Sequence, residues 1–184
     1  QAFDQVLQGK KRGGGNMAIL NVNHPDIIDY INLKGQDDSI RNFNISVGIT
    51  DEFMEAVRND DEYDLINPRT NKSVKKLKAR EVFDLICQKA WECADPGLFF
   101  LDTTQRLNPT KPLGIIEATN PCGEEPLRAY ESCNLGSVVM PTHLKKSKNG
   151  YEIDWDLLER SANSATHFLD NMIDLSEFPL SKIA

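Results

Sequence analysis

Short apolar runs and a period-two pattern predict most of the strands. Residues 43–49 place an apolar side chain at alternate positions, which is typical of a strand with one buried face. Residues 17–22, 98–101 and 135–140 are short and largely apolar, so each predicts a strand. Residues 59–78 are charged and rich in turn formers, which indicates a solvated excursion such as a hairpin.

Apolar residues at helical spacing predict two long helices, at residues 80–94 and 155–172. Asp154 is a suitable N-cap for the second of them, and Thr50 for a shorter helix earlier in the chain. Pro25 is expected at the first position of a further helix. Because helices and strands alternate, the pattern favours an α/β architecture with a largely parallel sheet.

Composition excludes several classes of protein. At 184 residues, 40% hydrophobic and 27% charged, the chain is suited to one globular domain with a substantial core. The net charge of −7 argues against a nucleic-acid or membrane-surface partner, since both need a basic surface. No apolar run approaches the roughly 20 residues that span a bilayer, and no signal peptide is visible. Since the chain does not begin with Met, we expect a segment of a longer, cytoplasmic protein.

The four cysteines fit a reducing compartment better than a disulfide scaffold. They are Cys87, Cys93, Cys122 and Cys133, and no two of them form a C-x-x-C pair, so a structural zinc site is not expected. Cys87 and Cys93 fall in a predicted helix, where we expect them to be small buried residues.

The segment around Cys122 carries the candidate chemistry. Pro121 fixes its own φ and Gly123 permits an unusual backbone conformation, so Cys122 is predicted at the tip of a defined loop. Asn120 and Glu124 flank the thiol on either side. This combination of an amide, a thiol and a carboxylate favours a chemically active site.

Glu124 makes a thiolate nucleophile unfavourable at Cys122, because two negative charges repel each other. No histidine is close in sequence to form a Cys–His pair. A thiol that keeps its hydrogen suits hydrogen-atom chemistry, with Glu124 as a general base and Asn120 as a hydrogen-bonding group for a substrate. Cys133 could supply reducing equivalents. From the spacing alone, a structural loop with two ordinary cysteines is an equally good interpretation.

Residues 117–137 resemble the active-site finger loop of ribonucleotide reductase large subunits. The N-P-C-G-E run and the second cysteine at a short interval are similar to the class II, adenosylcobalamin-dependent branch. Residues 12–28, 41–54 and 168–174 extend this resemblance over nearly the whole chain.

The resemblance implies the family fold, a ten-stranded α/β barrel with the cysteine on an internal finger loop, of which residues 1–184 would be one incomplete segment. It implies that Cys122 carries a transient thiyl radical and abstracts the 3′ hydrogen of the ribose. Glu124 would take the proton of the 3′-hydroxyl group, and Asn120 would bind the substrate. Cys133 would be one half of the dithiol that reduces the intermediate.

The resemblance also implies partners. The substrate would be a ribonucleoside diphosphate or triphosphate, with deoxynucleotides and ATP as effectors and a thioredoxin-type reductant. Adenosylcobalamin would be the cofactor, held mostly by residues outside this chain, as would the cysteine that pairs with Cys133. Gln36 and Arg41 are expected to report the effector to the base pocket. The parent protein could be a homodimer, and this segment alone is expected to be inactive.

Two alternatives stay open. A reductase that receives its radical from a partner subunit is the nearest one, although the short interval between Cys122 and Cys133 argues against it. The other is a non-catalytic nucleotide-binding or regulatory module derived from a reductase, although retention of Asn120, Cys122, Glu124 and Cys133 argues against a protein without activity.

Overall fold

The computed structural model describes residues 7–8, 12–35, 40–178 and 180–183. The chain forms two compact units, residues 1–129 and 130–184. The α/β prediction is confirmed, whereas the prediction of one barrel segment over the whole chain stays a prediction.

The helices are α1 (Ile27–Ile31), α2 (Asp51–Asn59), α3 (Ala79–Cys93), α4 (Leu101–Leu107) and α5 (Trp155–Leu175). The strands are β1 (Leu7–Gln8), β2 (Arg12–Gly13), β3 (Asn16–Asn21), β4 (Phe43–Ile49), β5 (Glu62–Asn67), β6 (Lys72–Lys78), β7 (Gly97–Phe100), β8 (Ala118–Thr119), β9 (Pro126–Leu127), β10 (Leu144–Ser147) and β11 (Gly150–Ile153).

A three-stranded parallel sheet is the centre of the first unit. Its strands lie in the order β3-β4-β7, with Ala18 opposite Ile45 and Val47 opposite Leu98. β3 and β7 are its two edges, and the described residues do not close it into a barrel. The remaining strands of the described part form two-stranded antiparallel pairs. The parallel sheet predicted from the alternation of elements is therefore present, but it is small.

One face of this sheet packs against α1, α2 and α3 to form the hydrophobic core. Thr50 caps α2, because its Oγ1 accepts a hydrogen bond of 3.2 Å from the Phe53 backbone N–H. The rings of Phe53 and Tyr63 meet edge to face with their centroids 4.9 Å apart. The core residues are Val22, Ile27, Ile31, Val47, Ile49, Phe53, Val57, Tyr63, Leu65, Ala79, Val82 and Ile86.

The predicted hairpin is confirmed as β5 and β6, which pair in an antiparallel manner. It is less solvated than its charge suggests, because Tyr63 and Leu65 are buried. The Tyr63 hydroxyl donates a hydrogen bond of 3.1 Å to the carbonyl oxygen of Val22. The hairpin therefore contributes one face to the core and leaves its lysines in solvent.

The opposite face of the sheet carries small and polar side chains. Asn44, Ser46 and Gly48 alternate along β4 with the buried Ile45, Val47 and Ile49. A Cβ atom at Gly48 would lie 2.7 Å from the Asn21 Oδ1 atom and 3.0 Å from the Leu101 Cδ1 atom, so only glycine fits there without a shift of its neighbours. This face is therefore crowded at Gly48, whereas Asn44 and Ser46 line a cavity.

The second unit contains the β10–β11 hairpin and α5. Asp154 caps α5 as predicted, because its side chain accepts a hydrogen bond of 3.0 Å from the Leu157 N–H. His143 is buried, with its Nε2 atom 2.8 Å from the Ser161 hydroxyl. No described residue of α5 is fully buried, and Leu158, Ala165 and Leu169 of its predicted apolar stripe are half-buried, whereas Trp155 and Met172 are exposed. None of the described helices is both long enough and apolar enough to cross a bilayer.

The prediction for Pro25 was wrong, since α1 begins two residues later with Asp26 as its N-cap. The Ile27 N–H donates to the His24 carbonyl oxygen at 3.1 Å, and the Asp26 N–H donates to the His24 Nδ1 atom at 3.1 Å. These bonds form a separate turn around His24, so Pro25 lies in that turn and not in the helix.

The strand predicted at residues 135–140 was also wrong. Residues 135–139 have no regular secondary structure, and a 3₁₀ turn follows at Met140–His143. Asn134 Nδ2 donates a hydrogen bond of 2.8 Å to the Leu169 carbonyl oxygen, and a Cβ atom at Gly136 would lie 3.3 Å from the Leu169 side chain. The segment therefore packs along α5 instead of joining a sheet.

The expected burial of both helix cysteines was wrong for Cys87. It is exposed on α3, because the buried stripe of that helix passes through Val82 and Ile86 and leaves the next position outside. Cys93 is partly buried, and its thiol lies 3.3 Å from the carbonyl oxygen of Lys89.

Candidate active site

A short β-hairpin carries Cys122. β8 and β9 pair with Ala118 opposite Leu127 and Thr119 opposite Pro126. Backbone hydrogen bonds extend the pairing on both sides, from the Glu117 N–H to the Leu127 carbonyl oxygen at 3.0 Å and from the Asn120 N–H to the Glu125 carbonyl oxygen at 3.3 Å. Residues 120–125 therefore form the tip of a hydrogen-bonded stem.

A β-turn holds the cysteine at this tip. The Gly123 N–H donates to the Asn120 carbonyl oxygen at 3.1 Å, which closes a turn with Pro121 and Cys122 at its centre. Proline is favoured at the first central position of such turns, and glycine at their end. Gly123 has a φ of 85°, in the region that glycine adopts most readily. Cys122 thus lies at the tip of a defined loop, as predicted.

Asn120 organises the tip with several of its polar atoms. Its Oδ1 atom accepts a hydrogen bond of 3.0 Å from the Glu125 N–H, and its carbonyl oxygen also accepts one of 2.9 Å from the Thr119 hydroxyl. Its side-chain nitrogen makes no hydrogen bond within the described part of the chain. That N–H₂ group is the part of Asn120 that can donate to a substrate.

The thiol of Cys122 and the carboxylate of Glu124 are both exposed. Neither group makes a hydrogen bond or an ion pair with any described residue. An exposed thiol and an exposed carboxylate thus share one tip with an amide nitrogen that makes no hydrogen bond to a described residue.

A cavity of about 500 Å³ with both polar and apolar lining residues adjoins the tip. Asn44 Nδ2 donates a hydrogen bond to the Pro121 carbonyl oxygen, which ties the turn to the polar face of the sheet. A Cβ atom at Gly15 would lie 3.4 Å from the Pro121 ring, so glycine allows the hairpin to approach closely. The cavity is lined by Met17, Asn44, Ile45, Ser46, Ala94, Asp95, Gly97, Leu98, Pro121, Cys122 and Gly123. Its volume lies in the range of small-molecule sites.

α4 anchors the chain just before the hairpin. Gln105 Nε2 donates to the Ile116 carbonyl oxygen at 2.5 Å, and Gln105 Oε1 accepts from the Ile116 N–H at 3.4 Å. Ile116 is itself buried. This two-way pairing with a side-chain amide fixes the backbone that leads into β8.

Sequence reasoning missed the residues of the sheet that line the cavity. Asn44 and Ser46 had a readable signal, because the alternation that predicts β4 also places them together on the face opposite the apolar residues. Asp95 had no such signal. Its carboxylate lies 2.7 Å from the Lys34 ammonium group and accepts a hydrogen bond of 3.3 Å from the Ile45 N–H, and these partners are far away in sequence.

Tyr30 lies behind the same part of the sheet. Its hydroxyl donates a hydrogen bond of 2.6 Å to the Ala18 carbonyl oxygen. Burial raises the pKa of Tyr30, and together with the smaller raising effect of the Asp95 charge and the lowering effect of a backbone hydrogen bond at Ser46 the pKa is about 12. The phenol is therefore a neutral structural donor at ordinary pH.

The other predicted site residues are not part of this hairpin. Cys133 belongs to the second unit, in an irregular segment, where it is exposed and has no disulfide or hydrogen-bond partner among the described residues. Arg41 is exposed in a turn just before β4, and Gln36 lies outside the described residues. The structure thus brings Asn120, Cys122 and Glu124 together on one tip.

Comparison with known proteins identifies relatives over nearly the whole chain. The family model described as ribonucleotide reductase, barrel domain, matches residues 1–184. The vitamin B12-dependent ribonucleoside-diphosphate reductase of Thermoplasma acidophilum is 51% identical over 181 residues, which are 98% of this chain and 23% of that protein. The protein of the same name from Mycobacterium tuberculosis is 48% identical over 97% of this chain and 25% of its own length. The vitamin B12-dependent ribonucleotide reductase of Streptomyces coelicolor is 30% identical over 95% of this chain and 21% of its own length.

The chain thus spans only about a quarter of the length of these curated relatives.

Proposed function

The chain belongs to the ribonucleotide reductase barrel-domain family, and from that premise we propose that it is the radical-cysteine segment of a cobalamin-dependent ribonucleotide reductase. The β-turn that presents Cys122 beside a cavity of about 500 Å³ is the single observation that supports this function best. The names of the relatives, which are vitamin B12-dependent reductases, support the class.

In the proposed reaction, the sulfur of Cys122 is transiently a thiyl radical and removes the 3′ hydrogen atom of a ribonucleotide. Glu124 takes the proton of the 3′-hydroxyl group, which helps the 2′-hydroxyl group leave as water. Asn120 donates a hydrogen bond to the substrate from its free side-chain nitrogen. The exposure of the thiol and the lack of partners for the carboxylate support these roles.

The radical intermediate needs two electrons, and a dithiol supplies them as it becomes a disulfide. Cys133 is one thiol of this pair in the proposal, and its partner cysteine belongs to a part of the reductase outside this chain. A thioredoxin-type reductant restores the dithiol. Summed over the cycle, one ribonucleotide and one dithiol give one deoxyribonucleotide, one disulfide and one water.

Adenosylcobalamin is the proposed cofactor, and when bound it supplies the radical that removes the hydrogen atom from the thiol. The accessibility of the Cys122 thiol is compatible with such a hydrogen transfer. It is exposed and has no hydrogen-bond partner among the described residues, so its hydrogen is accessible to a radical formed outside this segment. We assign no described residue to the cobalamin itself.

The proposal extends to the whole reductase. Ribonucleoside diphosphates are the favoured substrates, since two relatives are named for them. Deoxynucleotides and ATP act as effectors through the segment that contains Gln36 and Arg41. The reductase works in the cytoplasm as a homodimer.

The test uses the full-length reductase that contains this segment, with adenosylcobalamin, a dithiol and a ribonucleotide. Formation of deoxyribonucleotide is measured for the wild type, for Cys122→Ser and for Cys87→Ser, which replaces another exposed cysteine of the same unit. We expect no turnover from Cys122→Ser and normal turnover from Cys87→Ser. Unchanged turnover in Cys122→Ser would identify a protein in which this thiol has no chemical role.

A further inference from the structure

Asn44 joins the hairpin tip to the parallel sheet. It lies on β4, on the face of the sheet that lines the cavity. Its side-chain nitrogen donates a hydrogen bond to the carbonyl oxygen of Pro121, which is 77 positions away in sequence. Within the described part of the chain, no other hydrogen bond connects residues 120–125 to a strand of that sheet. The chemistry proposed above gives this contact no role.

Pro121 has a second close neighbour at its ring. A Cβ atom at Gly15, the residue directly before β3, would lie 3.4 Å from two carbon atoms of the Pro121 side chain. The ring of Pro121 therefore rests against the backbone that leads into β3, while its carbonyl group is held from β4. Two neighbouring strands thus fix one residue of the tip.

The carbonyl group that accepts from Asn44 belongs to the central peptide of the β-turn, the one between Pro121 and Cys122. Rotation of this peptide changes the φ of the second central residue, which is about −90° in a type I turn and about +80° in a type II turn. The φ of Cys122 is not positive, as type I requires. A hydrogen bond that holds the central carbonyl group therefore also holds the backbone of Cys122. It thereby fixes the direction of the Cα–Cβ bond that carries the thiol.

We infer that Asn44 is a positioning residue for the thiol of Cys122. Its amide fixes the central peptide of the turn and so directs the sulfur towards the substrate. This inference rests on the proposed function. Asn44 makes no hydrogen bond to the thiol or to Glu124 and acts through Pro121. Its loss therefore slows the transfer of the 3′ hydrogen atom and leaves substrate binding unchanged.

The test uses three substitutions at Asn44 in the full-length reductase. Asn44→Ala removes the donor, Asn44→Asp keeps the shape of the side chain but can only accept, and Asn44→Gln keeps an amide donor. Asn44 is exposed, so water can replace the lost donor and the variants should fold. Asn32→Ala is the matched control, because Asn32 Nδ2 also donates to a backbone carbonyl oxygen, that of Ile28 at 2.8 Å, and lines no part of the cavity.

The assay measures kcat and KM for a ribonucleotide, and the isotope effect on kcat of deuterium at its 3′ carbon. We expect kcat of Asn44→Ala and Asn44→Asp to fall roughly 3- to 10-fold, the factor that one hydrogen bond of ordinary net strength supports, while KM stays within about twofold. The isotope effect should increase, because transfer of the 3′ hydrogen then limits the rate more strongly. Asn44→Gln should recover most of kcat, and Asn32→Ala should keep kcat and the isotope effect. If Asn44→Ala does not fold, Asn44→Asp gives the same comparison.

Several outcomes overturn the inference. A kcat within about twofold of the wild type in Asn44→Asp would refute it and leave the proposed function intact. A higher KM with unchanged kcat would also refute it, because Asn44 would then be a group that binds substrate. An equal fall of kcat in Asn44→Gln or in Asn32→Ala would show that the donor to Pro121 is not the cause. A wild type that reduces no ribonucleotide at all would refute both the inference and the proposed function.

Discussion

The backbone at Gly123 offers a direct test of how the hairpin tip positions the thiol. Gly123 has a φ of 85°, and a Cβ atom there would meet nothing within 4 Å. Substitution by alanine therefore introduces no clash with neighbouring groups. Its cost is the conformational penalty of an L-residue in left-handed backbone, about 1–2 kcal/mol.

This penalty acts on the turn that holds Cys122. If the tip relaxes to remove the strain, it gives up the hydrogen bond between the Gly123 N–H and the Asn120 carbonyl oxygen. A cost of 1–2 kcal/mol lowers the ratio of the original turn to the relaxed turn by roughly 5- to 30-fold. We expect kcat of the full-length reductase to fall by about the same factor in Gly123→Ala. Gly123→Asn should lose less, because asparagine tolerates left-handed backbone better.

Gly150→Ala is the matched control. Gly150 has a φ of 123° and is also free of neighbours within 4 Å, but it belongs to the β10–β11 hairpin. The assay measures kcat and, separately, the free energy of unfolding in urea. We expect the unfolding free energy to fall in both variants and kcat to fall only in Gly123→Ala. A Gly123→Ala enzyme with kcat within about twofold of the wild type would refute the argument that this turn sets the position of the thiol.

Three further predictions concern the scaffold around the site. Thr50→Ala removes the acceptor of the Phe53 N–H and should lower the free energy of unfolding in urea by about 1 kcal/mol. Thr50→Ser keeps a hydroxyl acceptor and should retain most of this stabilisation. Gly48→Ala forces a Cβ atom to within 2.7 Å of the Asn21 Oδ1 atom and should cost about 1–3 kcal/mol in the same assay; an unchanged unfolding curve would show that the neighbours move freely. Burial raises the pKa of Tyr30 from 10.0 to about 12, so the unfolded chain loses this proton first and stability should fall as the pH rises from 10.0 to about 12. Tyr30→Phe should remove that part of the alkaline loss, as followed by unfolding at several pH values.

Features that depend on a side chain and its own nearby backbone could be predicted from the sequence. Thr50 and Asp154 each cap the helix that follows them, as predicted. The apolar residues of β4 that were predicted to lie on one buried face, Ile45, Val47 and Ile49, are buried. The tip at Cys122 was also predictable, because proline is favoured at the first central position of a β-turn and glycine at its end.

Features that depend on distant partners could not be predicted. β8 and β9 contain two residues each, too few to show a period, and the stem of the hairpin was therefore not recognised. Lys34 meets Asp95 only because parallel pairing brings the starts of β4 and β7 together. Residues 135–140 have the apolar character of a strand, but their contacts with α5 determine their conformation.

The edges of the parallel sheet have a consequence for handling this segment in solution. β3 and β7 each pair with only one neighbouring strand within the described sheet, so no further strand of that sheet covers their outer sides, although the Ala18 carbonyl oxygen of β3 accepts a hydrogen bond from Tyr30. Such edges act as templates for strands of other chains. Preparations of the 184-residue polypeptide by itself should therefore form oligomers whose size grows with concentration. Light scattering over a dilution series would reveal them, and crystallisation trials would benefit from a fusion partner that covers both edges.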